Sequence, residues 1–300
     1  MRTGVRVVIC ILAGSLLAGG ARSARAQGLS QLPTYNPQTQ FSSGQDVVPV
    51  YEGWLRNADG TFTFVFGYFN RNWKEEPVIP AGPDNKLEPG EPDRGQPTYF
   101  LPRRQPWVFR VRVPKDWGQQ ELVWTITAHG RTEKAYAQLV PEEEILERLI
   151  QTHGNLNPGE DDPNKPPSIT IAPVPPAEPT SPVPLTALVS DDGLPKARPV
   201  PAPRPGAIPQ AQTNSATGLR PPGLSVKWFE YRGPARVIFD SAGPIAVSKG
   251  QAVTTARFAA PGIYVLRATA DDGALSTSAD VTITVKPDPS ASDKPEGKRE

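Results

Sequence analysis

The sequence contains almost no cysteine, methionine or histidine. Its one cysteine and one methionine lie within the first ten residues, and its two histidines are His129 and His153. The chain beyond that first segment has no thiol, which excludes disulfides, thiolate metal sites and cysteine nucleophiles. The spacing of the two histidines matches no metal motif, so ordinary structural roles are favoured over a paired metal site.

Excess charge of one sign and long apolar runs are also scarce. Lys and Arg number 32 and Asp and Glu 31, which excludes the strongly basic balance of a general nucleic-acid binder. No phosphate-cradling glycine loop or strand–turn–helix nucleophile motif is present. We therefore expect no nucleic-acid partner, no transmembrane segment in the mature chain and no enzymatic activity.

Residues 1–26 have the features of a secretory signal peptide. Arg2 and Arg6 precede an apolar run from Val7 to Ala18, and Ala24-Arg25-Ala26 fits a cleavage site. The run is shorter than the ~20 residues that span a bilayer. Removal of this segment takes away four arginines and no acids, which leaves a net charge of −3. The expectation is an exported protein, periplasmic or extracellular.

Proline is abundant, with 37 residues of 300. Eighteen of these prolines lie between residues 158 and 222. Segments rich in proline and polar residues bury too little apolar surface to fold by themselves. The composition predicts four such segments: a flexible leader (27–46), a stiff linker (155–167), a disordered insert (196–222) and a disordered tail (287–300).

Residues 47–140 are predicted to form an aromatic-rich β-sandwich. Fifteen of the 23 aromatic residues lie between positions 48 and 139, and apolar residues there alternate with a period of two. The alternating sets are Phe62/Phe64/Phe66/Tyr68, Trp107/Phe109/Val111/Val113 and Leu122/Trp124/Ile126/Ala128. The connection 73–106 is unusually long, and short strands are predicted within it at Val78-Ile79 and Thr98-Tyr99-Phe100. Short strands without a long helix favour an antiparallel sandwich.

The segment 141–154 is predicted to be the one helix. Pro141 suits a first helical turn, three acidic residues follow it, and an apolar stripe runs from Ile145 to Ile150. Gly154 is a typical helix stop.

Residues 168–286 carry a second alternating β pattern, ending in Val281, Ile283 and Val285. Its distinctive segments are Ala187–Pro195, Trp228, Gly233–Phe239, Phe258, Pro261–Gly273 and Val281–Val285. In these segments, the chain over about residues 167–286 resembles a bacterial PKD-like, immunoglobulin-type repeat, except for the insert. The resemblance implies a non-enzymatic spacer or binding unit. The first unit resembles uncharacterised secreted bacterial proteins in Tyr51–Trp54 and Phe66–Asn72, which implies no activity. The predicted fold class is all-β, with two immunoglobulin-like sandwiches in tandem.

Two sets of residues are candidate ligand sites. Trp73, Tyr99 and Trp117 lie in or beside Pro/Gly-rich connections, where exposed rings would stack on sugars or anchor protein interfaces. Two Asp-Asp-Gly turns each follow a predicted strand and would suit calcium if they met at one end of the sandwich. Their acids are Asp191, Asp192, Asp271 and Asp272. The opposing interpretation is that Asp-Gly is a common backbone turn. Apart from calcium at these turns, the sequence predicts no cofactor.

The sequence leaves three functional hypotheses open. The preferred one is a non-catalytic, exported binding or structural protein whose partner is an envelope or extracellular protein or a polysaccharide. The alternative is a carbohydrate-binding accessory protein that uses the loop aromatics. The third is a hydrolase with paired carboxylates in the 73–106 connection, which would have to face each other across a cleft. Four acids of this connection, Asp84, Glu88, Glu91 and Asp93, are also a weaker candidate for calcium binding.

Overall fold

A computed structural model describes residues 40–155, 162–196 and 223–287. The predicted signal peptide (1–26) lies outside these residues. So do residues 27–39 of the leader, 156–161 of the linker, 197–222 of the insert and 288–300 of the tail. The leader prediction is wrong at its end, because Trp73 N–H donates to the carbonyl of Phe41 at 2.9 Å. The chain is therefore bonded to the first sandwich before residue 46.

The first sandwich consists of two three-stranded antiparallel sheets. One sheet has the order β1-β2-β4 and the other β3-β5-β6. Their bounds are β1 Val47–Arg56, β2 Phe62–Asn70, β3 Asn85–Glu88, β4 Arg103–Val113, β5 Leu122–Ala128 and β6 Arg131–Ala137. The core between the sheets is aromatic: Phe66 stacks on Phe109 with ring centroids 5.1 Å apart, and Trp124 meets Phe109 edge-on at 4.7 Å. The alternation predicted for β2 and β5 is confirmed.

The strand predicted from Trp107 begins four residues earlier and contains a bulge. Its register with β2 shifts between Phe66 and Tyr68, and Trp107 has a φ of 52°. An extra residue at a bulge re-aims its side chain. Phe109, Val111 and Val113 consequently point into the core as predicted, whereas Trp107 does not.

The predicted helix 141–154 is much shorter in the structure. A 3₁₀ turn spans Pro141–Glu143, and the helix α1 spans only Glu147–Gln151. Between them the chain is extended, because Glu144 bridges to Trp54 and Ile145 N–H donates to the Trp54 carbonyl at 2.8 Å. Bonding to the edge of β1 thus replaces helical bonds in the first half of this segment.

The second sandwich consists of two four-stranded antiparallel sheets, with orders β10-β12-β8-β7 and β11-β9-β13-β14. The bounds of the first four strands are β7 Ser168–Ile171, β8 Val183–Ser190, β9 Ser225–Arg232 and β10 Val237–Phe239. Those of the last four are β11 Ile245–Ala246, β12 Gln251–Phe258, β13 Gly262–Asp271 and β14 Ser276–Val285. Tyr264, Leu266, Ala268 and Ala270 alternate into the core as predicted. The chain is therefore an all-β tandem of two immunoglobulin-like sandwiches, as the sequence predicted.

Candidate functional site: the cleft between the sandwiches

Tyr231 of β9 joins the two sandwiches. Its strand belongs to the second sandwich, but its ring packs into the core of the first. The Tyr231 carbonyl accepts hydrogen bonds from Thr98 N–H at 3.2 Å and Tyr99 N–H at 3.4 Å, and its hydroxyl donates to the Gly95 carbonyl at 2.5 Å. Residues 40–287 consequently belong to one compact unit and are not two independent domains joined by a flexible linker.

Arg267 of β13 forms a second connection. Its guanidinium lies 4.0 Å from the ring centroid of Tyr231, pairs with both oxygens of Asp280 at 2.7 and 2.8 Å, and donates to the Val108 carbonyl of the first sandwich. Burial lowers the pKa of Arg267, but the Asp280 carboxylate outweighs burial and holds it above its ordinary value. Arg267 therefore remains protonated, and its guanidinium N–H groups have acceptors in both sandwiches.

The segment around α1 closes one end of the interface. His153 lies 3.1 Å from Asp271 of β13, and Ser276 of β14 donates to the Gln151 carbonyl at 3.5 Å. On the first sandwich, Glu147 makes a two-bond ion pair with Arg110 at 2.7 and 2.8 Å. The segment around α1 is thus bonded to both sandwiches.

These contacts leave an open cleft of about 690 Å³ between the sandwiches, here called the inter-sandwich cleft. Its walls are Trp107–Arg110 of β4, α1, the outer face of β9, β13 and β14, and Arg94-Gly95. Ser278 and Asp280 lie exposed on the β14 wall. Its volume lies within the range of ligand pockets, about 300–1,000 Å³.

The cleft is polar and its charges are largely paired. Arg110, Arg232 and Arg267 bond to Glu147, Asp93 and Asp280 respectively. Three of the four arginines of β4, Arg104, Arg110 and Arg112, are likewise paired with carboxylates. Arg104 pairs with Glu52, Arg112 with Asp59, and Arg103 is stacked against Phe69 and Trp73. An anionic polymer would find few unpaired cations here.

A buried acidic cluster lies where Tyr99 meets β9. Glu230 is 2% exposed, its Oε2 accepts from Val237 N–H at 2.8 Å, and its Oε1 has no partner. Burial raises the pKa of Glu230 to about 8, and the charge of Glu76 adds to the rise. Glu76 itself accepts a short hydrogen bond from the Tyr99 hydroxyl and lies 3.4 Å from Arg236.

The structure does not bring the three predicted aromatic ligand residues together. Tyr99 and Trp117 are 4% and 6% exposed, because Tyr99 is fixed by Glu76 and Trp117 packs edge-on against Phe64 in the first core. Trp73 is half-buried, and the Arg103 guanidinium covers its ring at 4.4 Å. Exposed, coplanar rings for sugar stacking, as the sequence suggested, are therefore not formed by these residues.

The carboxylates proposed for hydrolysis do not form a pair across a cleft. Asp84, Glu88, Glu91 and Asp93 are all exposed, and two of them are neutralised, Glu88 by Lys86 at 3.1 Å and Asp93 by Arg232 at 2.7 Å. His129 pairs with Glu75 at 2.9 Å, and His153 with Asp271. Within residues 40–155, 162–196 and 223–287, no three acidic, histidine or cysteine side chains converge as metal ligands.

The polar residues that organise the long 73–106 connection were missed by sequence reasoning. Asn85 is fully buried; its amide donates to the carbonyls of Ile79 and Pro97 at 2.9 and 2.8 Å and accepts from Trp124 Nε1–H at 2.9 Å. Gln96 is also fully buried and donates to the Asn85 carbonyl at 3.0 Å. This network folds the connection onto the first core, which prepares Thr98 and Tyr99 to meet β9.

None of the helices in the part of the chain that the structure describes is long and apolar enough to cross a membrane.

No protein-family model matches the chain, and no curated protein is significantly similar to it. Among solved structures, it is similar to a conjugative transposon lipoprotein from Bacteroides eggerthii, at 10% identity and a TM-score of 0.26 over 39% of this chain and 96% of the other. It is also similar to the titin domains Z1Z2 in complex with telethonin, at 11% identity and a TM-score of 0.24 over 80% and 97%. A chimeric titin Z1Z2 tandem gives 12% and 0.23 over 79% and 93%. Likeness at this level identifies no function for the chain.

Proposed function

We propose that this chain is an exported, non-catalytic binding protein of the bacterial cell envelope, and that the inter-sandwich cleft receives a protein partner. The PKD-like pattern of the second sandwich and the signal-peptide pattern of residues 1–26 support this proposal. The observation that carries it is the bonding of Tyr231 to Thr98 and Tyr99, which fixes the two sandwiches as one body. A pre-formed composite surface binds without the cost of ordering two mobile domains.

The chemistry of the cleft favours binding over catalysis. The His153–Asp271 pair lies at its edge, but the Ser276 hydroxyl donates to the Gln151 carbonyl and not to His153. A serine nucleophile requires a hydrogen bond to its base. Paired arginines and small hydroxyl side chains, by contrast, are groups that form hydrogen bonds to a polypeptide.

The experiment is a retention assay on isolated envelope fractions with the mature chain. Ser278→Arg would place a long side chain in the cleft, and Thr282→Arg provides the matched control, since Thr282 is exposed on the same strand but outside the cleft. Insoluble polysaccharides are tested in parallel. We expect retention on envelope fractions that is lost after protease treatment of those fractions and weakened by Ser278→Arg only.

Two results would contradict the proposal. Retention on a polysaccharide alone would favour the carbohydrate-binding hypothesis. Equal retention of the Ser278→Arg and Thr282→Arg proteins would place the binding surface outside the cleft.

A further inference from the structure

Both Asp-Asp-Gly turns are bonded to the part of the chain that joins the two sandwiches. Next to α1, His153 meets Asp271, and further along the linker Lys165 N–H donates to Asp192 at 3.0 Å. Arg148 of α1 donates to the Asn164 carbonyl at 3.1 Å, which connects these two contacts. The turns that end β8 and β13 are thereby brought to one end of the second sandwich, as the sequence hypothesis required.

Two of the four turn carboxylates are engaged in the protein's own bonds. Asp192 accepts from Leu194 N–H at 2.9 Å with one oxygen and from Lys165 N–H with the other. Asp271 accepts from Gly273 N–H at 2.6 Å and lies 3.1 Å from His153 with its second oxygen. Both oxygens of Asp192 and of Asp271 therefore have partners within the protein, and neither acid requires a ligand.

The other two carboxylates each keep a buried oxygen that accepts no hydrogen bond. Asp191 uses Oδ2 for Gly193 N–H, and Asp272, which is 4% exposed, uses Oδ1 for Ala274 and Leu275 N–H. Asp191 Oδ1 and Asp272 Oδ2 remain without a hydrogen-bond partner in the described structure. A buried carboxylate oxygen in that state carries a desolvation cost that a proton, a water or a cation must offset.

Asn164 provides an independent indication at the same place. Its side chain is 4% exposed, and both its amide oxygen and its amide nitrogen lack a partner among the described residues. A buried Asn amide without any hydrogen bond is rare in folded proteins. Because the backbone N–H of Lys165, the next residue, donates to Asp192, the backbone of Asn164 lies beside the first of the two turns.

We propose that Asp191, Asp272 and Asn164 bind a calcium ion at this end of the second sandwich. Carboxylate and amide oxygens are the ligands that calcium prefers, and it accepts waters to complete six to eight positions. Asp191 Oδ1 and Asp272 Oδ2 are both buried without a hydrogen-bond partner, and a shared cation would stabilise both carboxylates. Three further acids lie at this end of the sandwich: Asp162 is 3.6 Å from Arg148, Asp271 is 3.1 Å from His153, and Asp192 accepts from Lys165 N–H. The proposal is independent of the inter-sandwich cleft.

The test is calorimetric titration of the full chain with CaCl₂ after removal of divalent ions with EDTA, together with thermal melts in EDTA and in 10 mM CaCl₂. The variants are Asp191→Asn and Asp272→Asn, which keep the shape of each side chain and its oxygen for the backbone N–H groups. Asp240→Asn is the control, because Asp240 is an exposed acid of the same sandwich that pairs with Arg257.

We expect one calcium ion per chain with a Kd of about 10⁻⁴ to 10⁻³ M, the range of extracellular modules. Saturation should raise Tm by about 3 °C. Each site variant should weaken binding at least tenfold, and Asp240→Asn should leave it unchanged. Absence of calcium-dependent heat and of a Tm shift in the wild-type chain would overturn the proposal, as would equal binding by both site variants and the control.

Discussion

Replacement of Glu230 by Gln should stabilise the protein at high pH and leave it unchanged at low pH. Glu230 is buried at the end of the second core, with one oxygen bonded to Val237 N–H and the other unpartnered. Burial raises its pKa from an ordinary value of 4.5 to about 8. Between these two values the folded state therefore retains a proton that the unfolded state has lost.

The sign and size of the effect follow from linkage. Because the folded state binds more protons than the unfolded state in this window, the free energy of unfolding falls as the pH rises from 4.5 to 8 and stays level above it. A shift of that span, at 1.36 kcal/mol per pKa unit, corresponds to about 5 kcal/mol. Glutamine keeps the oxygen that Val237 N–H requires and cannot ionise, so the variant should not show this loss.

The assay is urea denaturation of the wild-type chain and the variant at intervals from pH 5 to pH 9. The difference between the two unfolding free energies cancels every contribution that both proteins share. Glu91→Gln, at an exposed carboxylate, is the matched control and should follow the wild type. If the Glu230→Gln and wild-type curves run parallel over the whole range, Glu230 does not hold a proton in the folded state and the reasoning is refuted.

Three other substitutions test the first sandwich and its interface. Asn85→Ala removes a buried amide that makes three side-chain hydrogen bonds. The free energy of unfolding, measured by urea denaturation, should fall by about 3 kcal/mol or more, and a loss below about 1 kcal/mol would contradict the network. Tyr231→Ala should cost about 3–5 kcal/mol and split a single calorimetric transition into two, whereas Ala at the exposed Tyr136 should do neither. Gly53→Ala would place a Cβ 2.6 Å from the Glu143 carbonyl oxygen at a backbone φ of 126°. Gly60→Ala is the control, because Gly60 also has a positive φ, 83°, but has open space around it. The Gly53 variant should therefore lower Tm more than the Gly60 variant.

The sequence predicted the strands whose pattern is local. Alternation of aromatic residues placed Phe64 and Phe66 in the core, and the same period-two pattern placed Trp124 there. Trp107 was misplaced, because a bulge depends on pairing with β2 and leaves no signal in the period of β4. The length of α1 was overestimated, since the edge of β1 competes for the backbone of Ile145.

The interface was missed although one signal pointed to it. In β9, Val226 and Trp228 face the second core, and the alternate residues Phe229 and Tyr231 are also apolar. A strand that is apolar on both faces is covered on both faces. What covers the outer face of β9 is set by residues more than 100 positions away, such as Gly95, and no local period contains that information.

The Tyr231 ring limits whether either sandwich can be recombined independently of the other. Tandem sandwiches are commonly regarded as interchangeable units that recombine at their linkers. Here a cut in the Pro-rich linker would separate the first sandwich from a side chain that completes its interior, and would leave Arg267 without its acceptor at Val108. Either sandwich transplanted alone would need a compensating aromatic or a polar replacement at this surface. The two units are therefore expected to be inherited together.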